Sequence, residues 1–194
     1  MTRLTHIFPA LLLAALASLT FWLDRSLQQD LRQSEAERND PDFIVDRIVA
    51  RRFDPEGRIK HTLHAERMTH YPRNDTTVLA SPRLISDASG RAPVTITSRS
   101  ARISGGGDQV YFENNVRVVR APYDDRSELV METEYLHVTP DEHTARTDRK
   151  VTITDAHTVA TAIGLELNSE NRTARFLSQF RGTYHDPQRT EKRR

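Results

Sequence analysis

A single uncharged apolar run near the start of the chain limits what the whole protein can be. Residues Ile7–Leu23 (IFPALLLAALASLTFWL) carry no charge, whereas the sequence from Asp24 onward is polar and holds almost all of the ionisable side chains. Counted from Leu4, the apolar segment has 20 residues, and a helix of that length spans about 30 Å, the thickness of one bilayer core. We therefore expect an N-terminal transmembrane helix, with Trp22 near a membrane interface.

A cleaved signal peptide is the alternative for this segment. Ala15-Leu16-Ala17 has the small-x-small pattern of a cleavage site, but the apolar run continues past it to Leu23, which favours a retained anchor. Arg3 predicts that the N-terminus stays inside and that the C-terminal bulk faces outward. The chain contains no cysteine, so an exported domain has no disulfides, which favours a bacterial periplasm over a eukaryotic exterior.

Charge and motif content exclude several classes of function. With 28 basic and 27 acidic side chains and a net charge of +1, the chain lacks the basic surface that nucleic-acid binding needs. It contains no phosphate loop, dinucleotide fingerprint, nucleophile elbow or zinc helix motif. His61 and His64 fall on opposite faces of a strand and cannot share a metal ion, while a solvated strand face explains Glu132 and Glu134. We therefore expect no cofactor, no metal site and no catalysis.

Beyond the apolar run, the sequence changes to short segments rich in Val, Ile, Thr, Tyr and Phe. Turn sequences such as Asp54-Pro55-Glu56-Gly57 separate these segments, a pattern typical of antiparallel strands. The predicted organisation is an anchor over 1–23, a linker or stalk over 24–42, one all-β domain over 43–184 and a polar basic tail over 185–194. A domain of that length can bury a hydrophobic core of its own.

Apolar and polar residues alternate in the later segments, which predicts a sheet with one dry face and one wet face. Three sets are predicted to face the interior: Val110, Phe112, Val116 and Val118; Val159, Ile163, Leu165 and Leu167; and Ala174, Phe176, Phe180 and Tyr184. The residues between them, including Ala160 and Ala162, are predicted to face outward.

Internal repetition relates these segments to one another. Residues 101–118 align without gaps on residues 136–153, which align in turn on residues 165–182, and a looser copy spans 68–85. Each unit has an apolar-x-apolar strand, a tight turn, a second strand, and a short break before a further apolar pair. Stacked hairpins of this kind bury one face against their neighbours and leave strands unpaired at the two ends.

The order of several short motifs resembles the LptC family of lipopolysaccharide (LPS) export proteins. Asn39-Asp40-Pro41 and Phe53-Asp54-Pro55-Glu56-Gly57 follow the apolar run as they do in that family. The strand Leu63-His64-Ala65 to Tyr71 is similar to a family strand, and Ser81-Pro82-x-Leu84, Gly164-Leu165-x-Leu167 and Arg181-Gly182-Thr183-Tyr184 also fit. The resemblance covers essentially the whole chain.

This resemblance implies a twisted, open β-jelly roll of stacked hairpins behind a single-pass inner-membrane helix, with the domain in the periplasm. It also implies that the protein receives LPS from the LptB/LptF/LptG transporter and passes it to LptA. An apolar groove suits that role, because each sheltered methylene is worth about 0.8 kcal/mol. The alternatives are a structural tether with a filled interior and an anchored carbohydrate-active enzyme with convergent carboxylates.

Two sets of candidate residues follow. The candidate lipid-facing residues are Val110, Phe112, Val116, Leu165, Ala174, Phe176, Phe180 and Tyr184 from alternation, with Ile48 and Leu79 added from the family pattern. The resemblance docks the segment between Phe43 and Phe53 on the transporter. At the opposite end no strand follows the last hairpin, so we expect its edge to pair with a strand of LptA. Arg175, Gln179 and Arg181 are the candidate polar contacts there.

Overall fold

The computed structural model describes residues 15–25, 40–87 and 92–185 of a chain that falls into two compact units, Met1–Asp40 and Pro41–Arg194. In the first unit, residues 15–25 are helical. Among the described residues, no helix combines the length and the apolarity that crossing a bilayer requires. The start of the predicted anchor, residues 1–14, lies outside the described residues, as do residues 26–39 of the predicted stalk and residues 186–194 of the tail.

In the second unit the described residues form antiparallel strands, so the prediction of an all-β domain is confirmed. The strands are β1 (Phe43–Phe53), β2 (Ile59–Tyr71), β3 (Thr76–Ala80), β4 (Arg83–Ser86), β5 (Val94–Thr97), β6 (Ser100–Ser104), β7 (Gln109–Arg120), β8 (Leu129–Thr139), β9 (Thr144–Thr154), β10 (Thr158–Asn168) and β11 (Thr173–Tyr184). The connection between β1 and β2 falls at the predicted turn Asp54–Gly57, whereas the turn at residues 155–157 between β9 and β10 was not predicted. Gly105–Gly107 forms a short 3-10 turn between β6 and β7.

The strands form one sheet that folds over on itself. β8, β9, β10 and β11 follow β7 as an antiparallel ladder, whereas β7, β5, β4, β2, β3 and β6 form a ring that the pairing of β6 with β7 closes. The ring closes because β2 pairs with β4 through residues 61–64 and with β3 through residues 67–71. β1 pairs with β2, so β1 and β11 are the outermost strands of the described sheet.

The hydrophobic core lies inside the fold of the sheet. It comprises Ala65, Leu79, Ala101, Val110, Phe112, Val116, Met131, Leu136, Val151, Ala162 and Leu165. Leu79, Phe112 and Leu165 have no solvent exposure at all. Because these side chains come from β2, β3 and every strand from β6 to β10, their packing joins the ring to the ladder.

A line of β-bulges crosses the ladder. The pairing register shifts within β7, β8 and β10. On β7 the bulge holds Asn114 and Asn115, with φ of 64° and 56°, and on β10 it surrounds Gly164, with φ of 80°. Bulges bend a strand and increase its local twist, so this line helps the ladder to curl over the core. The β7 bulge lies at the short break predicted in the repeat.

The bulge on β10 overturns the alternation predicted for that strand. Val159 and Ile163 are 39% and 38% exposed, while Ala160 and Ala162 are 7% and 1% exposed. The positive φ of Gly164 suits glycine, and the irregular residues there change which positions face inward. The prediction for these four residues is wrong because a strict two-residue period does not anticipate a bulge.

Candidate functional site

Solvent exposure divides the predicted lipid-facing residues into two groups. Leu79, Val110, Phe112, Val116 and Leu165 are buried in the core cluster. Ile48 and Phe176 are half-buried and pack against that cluster, whereas Ala174, Phe180 and Tyr184 are exposed. A buried side chain contacts only protein, so the first group stabilises the fold. Any ligand contact in this conformation is made by the five half-buried or exposed residues.

The interior face of β11 carries apolar side chains from the core toward the edge of the sheet. Phe176 pairs across the strands with buried Leu165, and Gly182 pairs with buried Ala160; directly opposite residues lie on the same face. The rings of Phe176 and Phe180 lie 4.8 Å apart between centroids. Ala174, Phe180 and Tyr184 are exposed, not buried as their inward parity alone suggests, because the described sheet has no strand beyond β11 to cover them.

The outer edge of β11 has no strand partner among the described residues. Arg175, Gln179 and Arg181 are all exposed along it. The Nη1 atom of Arg175 lies 3.5 Å from Oε2 of Glu166 on β10, and Gln179 has φ of 50°, so the strand is irregular at that point. An edge of this kind can accept another strand through its backbone N–H and C=O groups.

The opposite edge of the sheet is β1, and it is almost fully solvent-exposed. Within β1, Ile48 is half-buried and every other residue is exposed. Phe43 and Phe53, the first and last residues of the strand, are 43% and 56% exposed. Arg52 Nη2 lies 3.3 Å from Oδ1 of Asp141 in the turn between β8 and β9, which connects this end of β1 to the ladder.

A histidine and two carboxylates fasten the beginning of β1 to the rest of the sheet. The imidazole of His70 contacts Asp42 Oδ1 through Nδ1 at 2.8 Å and Asp75 Oδ1 through Nε2 at 3.3 Å. Phe43 stacks on the same ring, with 4.8 Å between centroids and 11° between planes. Hydrogen bonds that the ring donates to Asp42 and then to Asp75 raise the pKa of His70, because both carboxylates favour the protonated ring.

The carboxylates considered for catalysis have structural partners. Glu132 Oε1 lies 3.7 Å from Nε of Arg117, and Glu134 Oε2 accepts a hydrogen bond from the backbone N–H of Asn115 at 3.5 Å. Within the described ranges, no group of three His, Cys, Asp or Glu side chains is placed to hold a metal ion. The partners of Glu132 and Glu134 therefore do not favour the alternative of a carbohydrate-active enzyme with convergent carboxylates.

One cavity escaped the sequence analysis, because its walls come from several strands. It has a volume of about 470 Å³ and is lined by Tyr111, Tyr135, His137, Arg146, Thr147, Asp148, Arg149, Glu166 and Leu177. Most of these residues project from the outer face of the ladder, beside the line of bulges. The available signal for this outer cavity was Tyr111, an aromatic residue on a strand face otherwise predicted to be polar, since aromatic rings on a wet face often mark binding surfaces.

Comparisons with known proteins agree with this architecture. The sequence profile of a family described as "Lipopolysaccharide-assembly, LptC-related" matches residues 10–185. A direct comparison with curated protein sequences finds no significant match. A similar solved structure is LptH of Pseudomonas aeruginosa, described as the LptA-homologous periplasmic component of a lipopolysaccharide transport device. It matches with a TM-score of 0.52 and 6% identity over 65% of this chain and 95% of that chain, a likeness that shows a shared fold.

Proposed function

Because this chain belongs to the LptC family and so has a role in LPS transport, we propose that it is the membrane-anchored first segment of an LPS bridge. It receives LPS from the LptB/LptF/LptG transporter, shelters the acyl chains against its apolar interior face, and passes them to LptA. The sugars remain in water throughout. Transport along the face is passive, and the transporter supplies the energy.

The exposed aromatic row of β11 is the observation that carries this proposal. Phe176 packs against the core, while Phe180 and Tyr184 on the same face are 56% and 68% exposed. Covering a large apolar side chain is worth about 1.5–3 kcal/mol, so acyl chains gain more here than on a polar surface. The packed centre of the domain offers no such surface, which favours lipid contact at the open end of the interior.

That packed centre is what favours the second candidate function, a structural scaffold. Phe112, Leu79 and Leu165 fill the middle of the sheet without exposure, as a domain that only holds its partners together requires. The two functions differ at β11: a scaffold needs an edge for strand pairing, but it has no need of uncovered aromatic rings beside that edge.

The two outermost strands support the proposed docking order. β11 has no strand partner on its outer side within the described sheet, and we assign it to LptA, with polar contacts from Arg175, Gln179 and Arg181. β1, between Phe43 and Phe53, is assigned to the transporter. Adding a partner strand at either edge extends the sheet by main-chain hydrogen bonds and continues the apolar face across the junction.

We assign membrane attachment to Ile7–Leu23, on the uncharged sequence of that segment, with the β domain in the periplasm. Alkaline extraction of cell membranes tests this: the full chain should remain in the membrane pellet, and a chain without residues 1–23 should be released. Release of the full chain would remove the anchor from the proposal without affecting the lipid-binding face.

Photo-crosslinking in the full chain tests the lipid-binding face. A benzophenone side chain at Phe176 or Phe180 should capture LPS when the transporter hydrolyses ATP. The matched control is Thr183, which is exposed on β11 and pairs with outward-facing Val159. Absence of LPS adducts at Phe176 and Phe180, or equal capture at Thr183, would support the scaffold instead.

Docking at β11 is tested separately. A chain that ends before Arg172 lacks the edge strand and should no longer capture LptA, while its complex with LptB/LptF/LptG persists. That deletion also uncovers β10, so a second variant that keeps β11 is needed. The double substitution R175E/R181E keeps the strand and should weaken LptA capture. Normal LptA capture by both variants would move the docking edge elsewhere.

A further inference from the structure

An ion pair joins two parts of the sheet that no strand pairing brings together. Arg52, near the end of β1, lies with Nη2 3.3 Å from Oδ1 of Asp141 in the turn between β8 and β9. Along the sheet, β1 is separated from β8 by five pairings: β1–β2, β2–β4, β4–β5, β5–β7 and β7–β8. At about 4.8 Å for each pairing, that path is about 24 Å long. The two side chains therefore meet across the fold, where the curled sheet faces itself.

Arg52 reaches Asp141 from the interior side of β1. Arg52 is directly opposite His61 on β2, and in the same register Ile48 is directly opposite buried Ala65. Residues four apart on a strand share a face, so Arg52 projects to the side on which Ile48 packs against the core. The ion pair therefore lies at the rim of the interior and closes it between the β1–β2 hairpin and the β8–β9 turn.

Apolar side chains lie behind this rim on both sides. Leu63 of β2 packs against the core cluster, and so do Val138 of β8 and its cross-strand partner Ala145 of β9. Deeper in the interior, Phe112 and Leu165 have no solvent exposure. A centre packed in this way leaves no path for an acyl chain from β1 to β11. Passage therefore requires the β1–β2 hairpin and the β8–β9 turn to separate.

The charges at the rim favour the closed pair but hold it weakly. Burial, and then the charge of Lys60, lower the pKa of His61. The charges of Arg52 and His143 act in the same direction, and that of Asp141 acts against them. The ring is therefore neutral near pH 7 and does not compete with Arg52 for the carboxylate. Because the two paired side chains are 57% and 55% exposed, water and salt screen their attraction, so the pair can break and re-form.

We propose that the Arg52–Asp141 pair is a latch across the open side of the folded sheet, and that it opens when acyl chains pass from β1 to β11. This inference rests on the proposed transport function and adds a regulatory step to the same interior. With the latch closed, lipid contact is limited to the aromatic row of β11. With the latch open, the β1–β2 hairpin moves away from the β8–β9 turn and uncovers the apolar residues behind the rim.

Thiol labelling of the full chain tests the latch without lipid. The chain has no cysteine, so in the variant V110C the reaction rate with N-ethylmaleimide reports how often the buried core position becomes accessible. Adding D141N should speed this reaction about two- to fivefold, as expected for the loss of an exposed ion pair. R52Q should have the same effect, and R52Q/D141N should not exceed either single change, because both remove one interaction.

Glu132 provides the matched control for this labelling. It pairs with Arg117 at 3.7 Å with similar exposure, but across the neighbouring strands β7 and β8. E132Q should therefore leave the labelling rate of V110C unchanged.

A reversible covalent bridge tests the passage of lipid. R52C/D141C is bridged by a short bis-methanethiosulfonate after the complex with LptB/LptF/LptG has assembled, so that docking is already complete. Capture of LPS by a benzophenone at Phe180 during ATP hydrolysis should then be lost, and reduction of the bridge should restore it. Bridged R117C/E132C carries the same reagent between strands that are already paired, and it should capture LPS as before.

The latch is overturned if D141N leaves the labelling of V110C unchanged, if E132Q speeds it equally, or if the effects of R52Q and D141N add. Normal LPS capture by bridged R52C/D141C would overturn the role of the latch in lipid passage. Absence of LPS capture at Phe180 in the unbridged protein would instead contradict the proposed lipid-binding face, and the labelling rates would still decide whether the latch exists.

Discussion

The rings of Phe176 and Phe180 lie 4.8 Å apart on the interior face of β11, and they occupy very different environments. Phe176 packs against the closed core, whereas Phe180 is 56% exposed beside the open edge of the sheet. The contact between these two rings marks the boundary between the buried core, which stabilises the domain, and an apolar surface that a ligand can reach. It allows stability and lipid contact to be altered independently.

Substitution F180D should reduce LPS capture about tenfold or more without unfolding the domain. A charge at this position removes apolar contact worth about 1.5–3 kcal/mol, while the exposure of Phe180 makes the folding cost small. Retention of LPS on the purified protein and urea denaturation measure the two effects. The control T183D puts the same charge on the other face of β11, and comparable LPS loss in it would contradict the assignment of the interior face.

Substitution F112A, in contrast to F180D, should mainly lower the stability of the domain. Phe112 has no solvent exposure, and truncation of such a core phenylalanine costs about 3–5 kcal/mol. Urea denaturation should show that loss in the free energy of unfolding, whereas F180A should change stability by no more than about 0.5 kcal/mol. Similar losses in the two variants would mean that Phe180 is covered in solution.

The contrast between β7 and β10 shows why sequence alone identified the sheet but not all of its faces. Both strands alternate apolar and polar residues, and on β7 the bulge at Asn114 and Asn115 leaves Phe112 and Val116 on the same face. On β10 the irregularity at Gly164 changes the parity, so Ala162 and not Ile163 faces inward. Local pattern thus located strands and turns, because these depend on neighbouring residues. Which residues face inward on either side of a bulge depends on how the strand pairs with its neighbours. The sequence pattern of one strand does not contain that information.

The outer cavity escaped prediction for the same reason. Tyr111, His137 and Arg146 lie on three different strands, and only the cross-strand register brings them together. The open edge of β11, by contrast, was expected from the sequence, since the polar residues His185–Arg194 do not continue the strand pattern.

Gly164 should be intolerant of a side chain. Its φ of 80° disfavours other residues, and a Cβ placed there would lie 2.7 Å from Cδ1 of Leu177. We expect G164A to lose about 1–3 kcal/mol of stability and to displace Leu177, which lines the outer cavity. Chemical denaturation and the methyl resonances of Leu177 provide the two readouts.

The double variant G164A/L177A separates the two causes. The substitution L177A removes the 2.7 Å contact with Cδ1 but keeps the Cβ at 3.0 Å. It therefore relieves most of the crowding and none of the backbone strain, so part of the loss should remain. Unchanged stability in G164A would show that the bulge readily adopts another conformation.

The hydrogen bonds of His70 to Asp42 and Asp75, here called the His70 clasp, should make the beginning of β1 sensitive to pH. Contacts with Asp42 and Asp75 raise the pKa of His70 in the folded state above its ordinary value of about 6.5. The clasp therefore contributes its full stability below about pH 6.5 and loses it as the pH rises through the folded-state pKa. Amide hydrogen exchange of Phe43 and Ile44, corrected for its intrinsic pH dependence, should show weaker protection on the alkaline side.

The variant H70Q distinguishes this titration from any other pH effect on the domain. Glutamine keeps a hydrogen-bonding side chain but cannot take up a proton, so the protection of Phe43 and Ile44 should no longer weaken on the alkaline side. His61 and His137 have lowered pKa values in the folded state, with burial the first cause for each. Their contribution has the opposite sign, with stability lost as the pH falls below about 6.5. H70Q should therefore flatten only the alkaline side of the profile, and a change confined to the acid side would assign the pH response to those buried rings instead.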